Sequence, residues 1–159
     1  MRIAVFAIGR LKSGPDSLLI ERYVERAKLA GRSLGLDVSA REFSESRAGR
    51  AEDRMDQEAT TMLNALPKGA RLVVLDERGT APTSADFARR IGRLRDDGVP
   101  DLVFAIGGAD GHGPAIKARA DELLAFGPMT WPHQIVRLLL AEQVYRAVTI
   151  LSGHPYHRE

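Results

Sequence analysis

Apolar and polar positions along the chain follow two alternating rhythms. MRIAVFAIG (1–9) holds a run of six apolar residues, Ile3 to Ile8, closed by a glycine. That is the pattern of a strand buried on both faces. Over 16–35, the positions Leu19, Ile20, Tyr23, Val24, Ala27 and Leu34 recur at helical spacing, and Gly35 supplies a stop. LDVSAREF (36–43) reads as a second strand, and 51–66 as a second helix ended by Pro67. ARLVVLDERG (70–79) predicts a third strand over 72–75 that runs into a turn. The stretch 82–98 predicts a helix with Ser84 as its N-cap and Phe87, Ile91 and Leu94 inward. VPDLVFAIGGADGHG (99–113) is a fourth strand, 102–106, opening onto a glycine-rich loop. Then come a helix over 114–126 with Pro114 in its first turn, a loop over 127–132 and a long helix over 133–151. The alternation predicts an α/β fold, a mostly parallel sheet with helices on both faces. With no internal repeat and no linker, one domain over 1–159 is expected.

Composition narrows the class. Of 159 residues, 44% are apolar and 28% charged, a globular balance. No apolar stretch is long enough to span a membrane, and the first residues read as a strand rather than a secretory leader. The absence of cysteine excludes disulfides, thiolate metal sites and a cysteine nucleophile, and fits a cytoplasmic protein. The 23 Lys and Arg nearly balance 21 Asp and Glu, so any contact with RNA must come from local clustering. The richest cluster, REFSESRAGRAEDR (41–54), has four Arg and four acids, and reads first as a solvated loop and helix start.

Three stretches could carry chemistry. In FAIGGADGHG, glycines at 107, 108, 111 and 113 follow a buried strand. Glycines let the backbone approach a ligand, and ligands of open α/β sheets sit beyond the carboxyl ends of strands. The spacing is neither G-x-G-x-x-G nor a Walker A loop, so neither a dinucleotide nor a nucleoside triphosphate is indicated. A plain strand–helix turn is the competing reading. Leu75 and Asp76 end another apolar strand and matter only if they face the same cleft.

The last helix is apolar nearly all round, yet carries His133, Arg137, Glu142, Tyr145 and Arg146. Glu142 and Arg146 stand four apart in the favourable order and can pair. Arg137 lies roughly 140° around the helix from Glu142 and needs another acceptor. That acceptor could be a structural ion-pair network, a partner chain, the C-terminal residues or a phosphate. The last stretch, HPYHRE, places His154, Tyr156 and His157 together. The four histidines, at 112, 133, 154 and 157, have no metal-ligand spacing, so no metal is expected.

FAIGGADG, MTWPHQIVRLLLAEQVYRA and HPYHRE, in this order, resemble the RlmH family, the ribosomal RNA large-subunit methyltransferases H of the SPOUT superfamily. The resemblance covers the whole chain and is sharpest from Leu102 onward. It implies a SPOUT-type sheet with a C-terminal trefoil knot, an exception to the rule against threaded chains. It implies a homodimer that binds S-adenosylmethionine and methylates N3 of a pseudouridine in a 23S rRNA stem-loop of the assembled 70S ribosome. It places the cofactor at Leu75, Gly108, Gly127, Pro128, Met129, Thr130, Trp131 and Pro132. Members often have Ser near position 127 and Leu or Phe at 131, so this chain departs from the pattern at Gly127 and Trp131.

Removing the N3 proton calls for a base and a nearby cation. The candidates are His133, Arg137, Glu142, Arg146, His154, Tyr156 and His157. His154 or His157 is favoured for base or substrate contact, Arg137 and Arg146 for phosphate or uracil carbonyls, and Tyr156 for stacking on a base. The C-terminal residues are expected to be ordered, completing the partner subunit's cleft. A SPOUT enzyme acting on tRNA and a non-catalytic ribosome-binding factor are the alternatives.

Overall fold

A computed structural model describes residues 1–157, the last of them by its backbone only. In chain order the elements are β1 (Arg2–Ile8), α1 (Pro15–Gly31), β2 (Asp37–Phe43), α2 (Ala51–Ala65), β3 (Arg71–Thr80), α3 (Ser84–Asp96), β4 (Asp101–Ile106), α4 (Pro114–Arg119), β5 (Glu122–Leu124) and α5 (His133–Leu151). The strands form one sheet in the order β2-β1-β4-β3-β5, and each neighbouring pair runs parallel. The expected mostly parallel α/β architecture is the one observed.

Side chains of the central strands alternate between two cores. Ile3, Val5, Leu102, Phe104 and Val73 pack with Ala27 of α1, Phe87 and Ile91 of α3, and Leu140, Val144 and Val148 of α5. Phe6, Ile8, Val103, Ala105, Leu72 and Val74 pack on the other face with Ala59 and Met62 of α2 and Ile116 of α4. Every residue of β4 is buried because both faces are covered, which is why it is apolar almost throughout. Leu140 and Val148 are fully buried, so α5 is held by its packing.

Several boundaries differ from expectation. The first helix ends at Gly31 and continues as a 3-10 turn, Arg32–Leu34; Gly35, with φ +67°, then closes it. Thr83, not Ser84, caps α3: its hydroxyl accepts the Asp86 amide at 3.1 Å, while Ser84 donates to Gln143. The helix expected over 114–126 stops at Arg119. Asp121 accepts the Leu72 amide at 2.7 Å and binds Arg71 and Arg119, which turns the chain into a short fifth strand beside β3. β3 also outlasts the expected 72–75. It pairs through Leu75, bulges over 76–79 and pairs again at Thr80 with Leu124. Such a bulge re-aims side chains at a sheet edge, and here it brings Asp76, Glu77 and Arg78 to the cleft described below.

Candidate functional site

β3 and β4 are parallel neighbours, so their carboxyl ends open on the same edge of the sheet. A cleft of about 860 Å³ lies there, within the range of small-molecule sites. Leu75, Ile106, Leu124 and Val136 supply apolar wall, and loops 107–113 and 125–132 close the sides. The first loop folds back on itself through a Gly108–Gly111 bridge. A Cβ on Gly107 would stand 2.8 Å from the Gly111 backbone, so glycine is required there by contact. In the second loop Gly127 has φ +93°, a conformation that penalises any side chain. Trp131 donates its indole N–H to the Phe126 carbonyl at 3.3 Å and stays 40% exposed, beside Met129 at 68%. Two large apolar groups thus stand at the mouth, ready to cover a flat apolar ligand.

The cleft also has polar groups. Lys117 Nζ lies 2.6 Å from the nearly buried Asp76 carboxylate. Burial works to raise the Asp76 carboxyl, but the hydrogen bond and charge of Lys117 and the Arg78 amide outweigh it and hold it below the usual range. His112 Nε2 is 3.2 Å from the Ala105 carbonyl. A carbonyl only accepts, so Nε2 carries the proton and Nδ1 keeps a lone pair. Burial lowers His112 to about 4 from 6.5, so the ring is neutral at ordinary pH.

Seven of the eight expected cofactor positions line this cleft: Leu75, Gly108, Gly127, Met129, Thr130, Trp131 and Pro132. Pro128 does not. His133 lines it too, from the first turn of α5. His112 and Lys117 are cleft residues that motif reading did not single out. For His112 the available signal was its place in the loop just beyond the carboxyl end of β4.

The remaining catalytic candidates gather elsewhere. Arg146 binds the Glu142 carboxylate through Nε at 2.9 Å and Nη2 at 2.6 Å. The Tyr156 hydroxyl donates to the same Glu142 oxygen at 3.2 Å and lies 3.5 Å from the Tyr23 hydroxyl. Arg146 stands 5.2 Å above the Tyr156 ring, which packs on Tyr145 at 4.6 Å. Burial, then the Tyr23 hydroxyl and the Glu142 charge, push the Tyr156 phenol well up from its ordinary value. His154 is exposed, and its Nδ1 accepts the Tyr156 amide at 3.2 Å. The His157 side chain lies outside the described residues. Glu142 stands nine residues beyond His133, about 13 Å along α5 and half a turn around it. Within one chain, this cluster and the cleft are different places.

Arg137 belongs to neither. It is 4% exposed and finds its acceptors within its own chain: Glu42 at 3.0 Å and the carbonyls of Ile8 and Gly9, the latter at 2.9 Å. Burial pushes its guanidinium down from the ordinary value, against the charges of Glu42 and Glu45. These contacts make Arg137 a clamp on the end of β1, while its Nε is buried with no hydrogen-bond partner among the described residues.

A family model described as "Predicted SPOUT methyltransferase" matches residues 1–157. Over 159 residues, 99% of each chain, the protein is 57% identical to the ribosomal RNA large subunit methyltransferase H of Brucella anthropi. It is 58% identical over the same span to the protein of that name from Rhizobium meliloti, and 55% to that from Rhizobium etli. A strand-end cleft with glycine-built walls, a parallel sheet and full-length similarity agree: the chain belongs to the SPOUT methyltransferases, in the ribosomal RNA large subunit methyltransferase H family.

Proposed function

We propose that the protein is a cytoplasmic homodimer that uses S-adenosylmethionine to methylate N3 of a pseudouridine in a 23S rRNA stem-loop of the assembled 70S ribosome. The observation that carries this reading is the convergence of loops 107–113 and 125–132 on one strand-end cleft. The residues fit the cofactor. The glycine loop leaves backbone polar groups beside a wall with no side chain at 107 and 108. Leu75, Ile106 and Trp131 suit an adenine ring, and Asp76, Lys117 and His112 offer both donors and acceptors for its polar parts. The trefoil knot implied by the resemblance is part of the same reading.

When bound, S-adenosylmethionine supplies a methyl group already activated on a sulfonium. The chain's residues then have to orient the acceptor and deal with the N3 proton. In the proposed arrangement the Tyr156 cluster of one subunit faces the cleft of its partner. Arg146 holds positive charge near the uracil oxygens, where negative charge develops as N3 loses its proton. The Tyr156 phenol, with its pKa raised, stays protonated and serves as a donor and stacking surface. His154 or His157 takes the N3 proton, and the exposure of His154 suits that task. The near-even charge suits docking on a preformed ribosomal surface better than capture of free RNA, which needs many cations.

The test is methyl transfer from labelled S-adenosylmethionine to 70S ribosomes, 50S subunits and naked 23S rRNA from cells lacking this activity. Labelling of 70S alone, mapped to one N3-methylated pseudouridine, is the expected outcome. Transfer only to tRNA, or no cofactor binding at all, overturns the reading.

A further inference from the structure

Arg54 lies on α2, outside the cleft, yet it reaches the loop that forms the cleft wall. Its Nε and Nη2 bind the two oxygens of Asp110 at 2.7 and 3.0 Å, the paired geometry in which a guanidinium is most directional. Its Nη1 donates to the carbonyls of Ala48 and Gly49 at 3.0 and 3.2 Å. One side chain thus joins the segment before α2 to loop 107–113. The neighbouring turn of α2 reinforces the join. Glu58 accepts the Ser46 amide at 2.9 Å, and its other carboxylate oxygen faces Gly108, where an added Cβ would sit 3.1 Å away. A Cβ on Gly113 would meet the Met55 carbonyl at 3.2 Å. α2 therefore lies along the whole loop, and Asp110 is the loop's one carboxylate handle on it.

We propose that Arg54 is a positioning residue for the cofactor: by gripping Asp110 while anchored to residues 48 and 49, it holds loop 107–113 in the shape that binds S-adenosylmethionine. The inference rests on the reading of the cleft given above. A loop rich in glycine has many competing conformations, and fixing each residue costs conformational entropy. A two-oxygen grip at the loop's centre removes much of that cost before the cofactor arrives, which is how preorganisation raises affinity. The same link makes the cleft sensitive to residues 44–50, the segment that carries the exposed Arg47 and Arg50.

The test uses the full chain without cofactor, then with it. Amide hydrogen exchange over 107–113 and S-adenosylmethionine affinity by calorimetry are measured for wild type, Arg54→Gln and Asp110→Asn. Arg50→Gln, which removes an exposed pair with Glu52, is the control. In both test variants the loop should exchange about tenfold faster while β1 and β4 exchange as before. Cofactor affinity should fall about tenfold, with a melting temperature within a few degrees of wild type. Lysine at 54 should restore only part of the affinity, since it cannot bind both oxygens at once. Two variants from opposite ends of the pair guard against one of them failing to fold. Unchanged loop exchange overturns the proposal, as does faster exchange with unchanged affinity. A wild type that binds no S-adenosylmethionine sinks the proposed function and this inference with it; a wild type that binds, with variants that bind equally, sinks the inference alone.

Discussion

The cleft at the ends of β3 and β4 and the cluster around Tyr156 are built by opposite means. Backbone shapes the cleft: Gly107 pressed on Gly111, Gly127 in a left-handed conformation, loops folded on their own carbonyls. The cluster is shaped by side chains that satisfy one another, with Glu142 receiving both Arg146 and Tyr156. Where the loop offers backbone rather than side chain, a change such as Trp131 is tolerated while the loop still lines the cleft, whereas Gly127 meets its left-handed φ without a side-chain penalty. The cluster has no such freedom, because losing one member strands the charge of another. None of Glu142, Tyr145, Arg146 and Tyr156 lines the strand-end cleft. On the proposed reading the cluster acts only when a second chain brings a cofactor to it.

The largest expected effect comes from Arg137, which belongs to neither region. Arg137→Met should cost about 2–4 kcal/mol in urea unfolding, since it leaves the buried carbonyls of Ile8 and Gly9 without that donor, at about 1–3 kcal/mol each. A cost below about 1 kcal/mol would mean that the network is ornamental. His112 gives the next largest effect, and its sign is fixed by linkage. Its folded value, about 4, lies below the ordinary 6.5, so between them the unfolded chain binds a proton that the folded one refuses. Stability present above pH 6.5 is then lost on acidification, by about 2 kcal/mol at pH 5. The raised Glu58 carboxyl acts in the opposite sense. Subtracting the curve of His112→Gln from that of wild type isolates the histidine; a difference constant from pH 7.5 to 5 contradicts its burial as the neutral ring.

Gly107→Ala should push the 107–113 loop outward and weaken cofactor binding at least tenfold, about 1.4 kcal/mol, by calorimetry. The same variant should leave the environment of Tyr156 unchanged, as read from its ring resonances. Tyr156→Phe is the reciprocal and smaller change. Losing the hydrogen bond to Glu142 should cost about 1 kcal/mol of stability, with cofactor affinity within twofold of wild type. If affinity falls instead, the two regions are not independent.

The sheet was legible in the sequence because its central strands are buried on both faces and written as unbroken apolar runs, Ile3 to Ile8 and 102–106. The fifth strand was not: Glu122 to Leu124 is too short for periodicity, and only the Asp121 contacts, set by tertiary structure, end the helix before it. Much of the cleft could be located because strand ends and glycines mark it. The acceptors of Arg137 could not, since Glu42 stands 95 residues away and no spacing along one helix reveals it. The role of Lys117 could not be read either, since it reaches Asp76 only because the ends of β3 and β4 lie side by side.

The central claim, that a cleft and a Tyr156 cluster from two different chains make one working site, is tested most directly by mixing two inactive variants. Gly107→Val removes the cleft and Tyr156→Ala removes the cluster, and each alone should transfer no methyl group to 70S ribosomes. After the subunits are reassorted, about half the dimers are mixed, and each mixed dimer keeps one intact pairing of cleft with cluster. Methyl transfer should recover to about a quarter of the wild-type rate. No recovery, with mixed dimers shown to form, would contradict the claim and place both halves of the site within a single chain.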